Sequence, residues 1–183
     1  MTTTETNPGE SPRSYAEQMD AGYRIESAPP HKGEIGEDEA LENIVDQTRE
    51  LGRVLDCALR FAASLGPAHD PELDESALDD VLESIGPAAK IEIVSKLLHE
   101  RITDQEFFER TDWALGYAAR SLKAASEALT WLLTSAPGWP ELVFDRADHV
   151  GSSAYLLDET LSCHPATEQG YAKFRDSDAQ PIT

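Results

Sequence analysis

Cysteine is scarce in this chain of 183 residues. Cys57 and Cys163 lie far apart with no second cysteine near either, which excludes a disulfide framework and a zinc knuckle and predicts two free thiols. Basic residues are also few: 15 Lys and Arg face 35 Asp and Glu, a net charge of -20. A phosphate backbone is gripped by clustered Lys and Arg, so direct nucleic-acid binding is disfavoured. No apolar run approaches a membrane span, and the first residues lack the basic flank and apolar segment of a signal peptide. The expected setting is the cytoplasm, with no membrane contact.

Chemical motifs are missing as well. There is no Gly-rich phosphate loop, nucleophile elbow or paired Cys/His spacing. None of the five histidines follows a Glu by three residues, which disfavours a di-iron bundle. His99-Glu100 lacks the second histidine that a zinc-protease helix carries, and His149 near Asp145 and Asp148 is what an acidic helix produces by composition. No catalytic residue, metal ligand or cofactor is therefore predicted.

What remains is helical periodicity. Without strand-like alternation or an internal repeat, the expected fold is all-α, a single-domain bundle of four to five helices over residues 37–163. Polar, flexible tails are expected at 1–36 and 164–183. Within the first, Tyr15, Met19 and Tyr23 would share a face if Ser14 to Tyr23 were helical, a candidate docking motif; within the second, Tyr171 and Phe174 could fold back as an anchor.

The organising element is a long central helix between a capping pattern at Thr103 or Asp104 and the stop at Pro137-Gly138. One face carries Phe107, Thr111, Ala114, Leu115, Ala118, Leu122, Ala125, Leu129, Leu132 and Leu133. Beside it runs a second stripe of Trp113, Tyr117, Ala124, Ala128 and Trp131. Such a stripe is normally core, packed under a second helix, yet it also has the makings of a partner or ligand surface. Arg110, inside the apolar arc, is spaced for an ion pair with Glu106 or for a pocket anion.

A first helix is expected from Glu37 to Leu65, with Leu41, Ile44, Val45, Thr48, Leu51, Leu55, Leu59 and Ala62 inward. Its outer side stacks Glu42, Asp46 and Glu50 into an uncompensated acidic ridge and pairs Asp56 with Arg60. A short helix follows from Asp74 to Ile85, with Asp79, Asp80 and Glu83 outward. A third runs from Ala88 to Ile102, and a last from Pro140 to Ser162, in which Gly151 permits close approach to another helix.

Charge is concentrated on residues 37–86, where 14 acidic side chains face 3 basic ones. The expected function is accordingly a non-enzymatic acidic bundle that docks a protein partner, a basic one by charge, as an inhibitor, immunity protein or regulatory adaptor does. Nucleic-acid mimicry is a narrower variant, and a homodimer through the aromatic stripe is another. Candidate partner-binding residues are Trp113, Tyr117, Trp131, Arg110, Asp79, Asp80 and Glu83. The rival reading is a small-molecule or enzymatic pocket among Trp113, Tyr117 and Arg110.

Overall fold

The structure, a computed structural model, describes residues 35–66, 83–163 and 170–177. The described chain is all-α, an assembly of helices α1 (Glu37–Ser64), α2 (Pro87–Arg101), α3 (Gln105–Leu133), α4 (Trp139–Ser162) and α5 (Tyr171–Ser177). The expected helix over 74–85 lies outside the described residues except for its end, where Glu83 and Ser84 are helical.

Local chemistry sets the ends. Asp104 caps α3 by accepting a 2.9 Å bond from the Phe107 amide, which satisfies one of the free donors of a first turn. At the other end Ser135 adopts a left-handed conformation, φ 50°. The Ala136 amide then reaches back to the Trp131 carbonyl at 3.0 Å, a Schellman closure that consumes a terminal acceptor. Gly138, φ 78°, turns the chain into α4, with Pro140 in the first turn. At the far end of α1, Arg101 donates to the Ala62 and Ala63 carbonyls at 2.6 and 2.9 Å. A Cβ on Gly66 would lie 2.9 Å from that guanidinium, so glycine leaves it room.

The contacts fix the directions of the helices. Asn43 meets Asp148 and Gln47 faces Gly151, so α1 and α4 run parallel although about a hundred residues separate them. Short turns make α3 antiparallel to α2 and to α4. The core lies between these four helices, with Leu51, Leu55, Leu59, Val94, Leu98, Ala114, Ala118, Val150 and Leu157 fully or almost fully buried.

Three expectations about faces are corrected. Val45 and Leu133, placed on core stripes by periodicity, are 53% and 84% exposed, because α2 is only 15 residues long and covers α1 near Asp56 and beyond, not near Val45. The acidic ridge of α1 is compensated: Arg49 pairs with Asp46 and Arg53 with Glu50, each at 2.7 Å. Asp56 pairs across to Lys90 of α2, a buried lysine.

The C-terminal stretch contributes more than a polar tail. Tyr171 is fully buried, edge-on to the Phe61 ring with centroids 6.1 Å apart, and donates to Asp158 at 2.7 Å. The Cys57 thiol lies beneath α5, 3.7 Å from the Phe174 carbonyl.

Candidate functional site

The fold divides the aromatic stripe of α3. Trp113 and Tyr117 stack with centroids 5.7 Å apart and planes within 4°, and both are buried. The Tyr117 hydroxyl and His149 Nδ1 of α4 share a 3.1 Å hydrogen bond whose direction follows the imidazole tautomer. These two aromatics therefore belong to the α3–α4 seam and present no outer surface. His149 finds a phenol as its partner, a contact between distant positions that no spacing rule marks.

Trp131, about four turns further along α3, is half exposed. Arg110 lies on the surface and pairs with Glu106 one turn back. Glu83 is exposed, and Asp79 and Asp80 fall outside the described residues. Of the expected site residues that are described, only Trp113 and Tyr117 are thus brought together, and they meet in the interior.

The same seam buries Arg146 and Ser121. Arg146 stands 3.3 Å from the carboxylate of its neighbour Asp145, yet neither of the contacting atoms has a hydrogen-bond partner. The contact is electrostatic rather than well aligned, and it neutralises a charge that burial would otherwise make costly.

Two open grooves mark the described surface. The first, about 500 Å³ between α2 and α3, has a floor of Ile91, Leu115 and Gly116 and a rim of mixed sign, Lys96 and His99 against Glu92 and Asp112. His99 packs on Phe108 there, centroids 4.9 Å apart. The second, about 580 Å³, lies between α1 and α4 and is lined by Gln47, Asp148, Gly151, Ser152, Tyr155, Leu156 and Glu159. It contains two carboxylates and no basic side chain.

The second groove follows from the close approach of α1 and α4. A Cβ on Gly151 would sit 1.9 Å from Gln47 Oε1, so the absent side chain at Gly151 admits Gln47. Gln47 in turn donates to Asn43 at 3.2 Å, and Asn43 donates to Asp148 at 3.0 Å. This chain of amides holds the Asp148 carboxylate at the groove's edge, with further acceptor capacity beyond that bond. Asp148, Tyr155 and Glu159 fall on one strip of α4 at i, i+7 and i+11, and Tyr155 is 67% exposed. Further along α1, the Arg53 guanidinium holds the Glu50 carboxyl below its usual range by hydrogen bonding, against a smaller opposing effect of burial.

Among the described residues no cluster of three or more His, Cys, Asp or Glu side chains could hold a metal ion, and no helix is long and apolar enough to cross a membrane. Cys57 and Cys163 are both free, the first buried and the second exposed. No family model, no curated protein and no solved structure matches the chain.

Proposed function

We propose that the protein is a non-enzymatic binding module of the cytoplasm that docks a protein partner through a Lys or Arg side chain seated in the α1–α4 groove. One observation carries the reading: exposed Tyr155 stands on the same strip as Asp148 and Glu159, in a groove lined by no basic group. A cation there gains the face of an aromatic ring and two carboxylates, an arrangement worth about 0.5–1 kcal/mol for the ring alone at an exposed site. The net charge of -20 supports it by speeding encounter with a basic surface. Burial of Trp113 and Tyr117 weighs against a pocket at those residues, and unpaired cysteines suit a reducing compartment.

The test titrates a hexa-arginine peptide into the full chain and follows backbone amide shifts, at low and at high salt. The expected shifts centre on Gln47, Asp148, Tyr155 and Glu159. Glu159→Lys is expected to weaken binding about tenfold, or ~1.4 kcal/mol. Glu127→Lys makes the same charge change on α3 and is expected to cost twofold or less. Equal losses from the two variants would mean that total charge binds the peptide and the groove does not.

A further inference from the structure

The bundle is incomplete at one end. Helix α2 packs on α1 from Asp56, which faces Lys90, to Ala62 and Ala63, which accept from Arg101. On α3 it reaches from Phe108 to Ala119. Beyond those limits, the N-terminal half of α1 and the C-terminal half of α3 continue without it. The strips that α2 covers lower down persist there: Val45 and Gly52 precede Asp56 by eleven and four residues, and Leu122 and Leu133 follow Leu115 by seven and eighteen, all returning to nearly the same angle of the helix. Val45 is 53% exposed and Leu133 84%, while Leu41, Leu122 and Leu129 are only partly buried. The fourth corner of the bundle is thus apolar and vacant among the described residues.

We infer that this corner is a docking groove for the chain's own Ser14–Tyr23 segment. Thirty-four residues precede the first described position, and they join the bundle at the correct end: Ile35 packs against the core just before α1. Tyr15, Met19 and Tyr23 recur at i, i+4 and i+8, the spacing of a one-faced helix of about 15 Å. The vacant strips, Leu41 to Gly52 and Leu122 to Leu133, each run about 17 Å. Residues 24–34 can span up to about 36 Å when extended, enough to return the segment along either strip. The tether favours this occupant over a second copy of the chain. A segment on a short linker acts at an effective concentration in the millimolar range, whereas a second copy must approach against a like charge of -20.

Nuclear Overhauser contacts in the methyl-labelled full chain test the inference. The expected result is cross-peaks from the Tyr15 and Tyr23 rings and the Met19 methyl to the methyls of Val45, Leu122 and Leu133. In a sample mixing differently labelled chains these cross-peaks stay within one molecule. Met19→Asp is expected to abolish them and to leave the methyl shifts of Val54 and Leu157 in place. The inference is overturned if residues 14–23 give no contact to these methyls, if the contacts arise only between molecules, or if residues 67–82 supply them instead.

Discussion

The hydroxyl of Tyr117 on α3 and Nδ1 of His149 on α4 lie 3.1 Å apart in a partly buried position, which makes a polar contact one link across the α3–α4 seam. Tyr117→Phe removes the hydroxyl, leaves the ring stacked on Trp113, and strands the imidazole nitrogen. A loss of about 1–2 kcal/mol in urea unfolding is expected. Unchanged stability would show that the bond contributes nothing in solution.

The core and the corner beyond α2 should respond by different amounts. Leu157 is fully buried, so Leu157→Ala is expected to cost about 2–5 kcal/mol through lost burial and the cavity left behind. Leu133→Ser, at a position that the docked Ser14–Tyr23 segment covers, should cost more than the ~0.5 kcal/mol of an open surface change, and a cost within that limit would argue that the corner is open. The two unfolding midpoints read side by side decide the matter.

The faces of the helices were largely legible in the sequence, whereas their neighbours were not. The stop at Gly66-Pro67, the cap at Asp104 and the turn at Pro137-Gly138 are local chemistry, and the helix ends lie within about four residues of them. Val45 and Leu133 match the apolar period as well as Leu51 does, and nothing local reveals that α2 is too short to reach them. The Trp113 and Tyr117 stripe could be seen, but its cover by α4 depends on how two helices dock. The arginines that neutralise Asp46 and Glu50 stand at i+3 from them, a spacing present in the sequence, but whether a side chain turns to that partner depends on its rotamer.

Ser135 holds a left-handed backbone, φ 50°, at the end of α3. A side chain is strained there and glycine is not. Ser135→Gly is expected to raise stability by about 0.5–1 kcal/mol, seen as a higher denaturation midpoint. A lower midpoint would argue against the left-handed turn.

The anchor formed by α5 should be sensitive to alkali. Burial, with the hydrogen bond to Asp158, raises the Tyr171 phenol above its ordinary value of 10.0. The unfolded chain ionises first, so this stabilisation is complete below pH 10 and declines as pH rises above it. The ultraviolet titration difference between the parent chain and Tyr171→Phe should place the missing phenolate signal above pH 10. Tyr171→Ala should loosen α5 and let a thiol reagent reach buried Cys57, where the parent chain reacts quickly only at exposed Cys163.

The parallel pairing of α1 with α4 has a consequence for the order of synthesis. Asn43 and Asp148 are 105 positions apart, and closing so long a loop is a late, entropically costly step. When α1 leaves the ribosome, the helix whose side chains meet Asn43 and Gln47 has yet to be translated. A chain halted before Trp139 would present the buried stripe of α1 to solvent and to other nascent chains. Of the four described helices that enclose the core, the one made first is housed last.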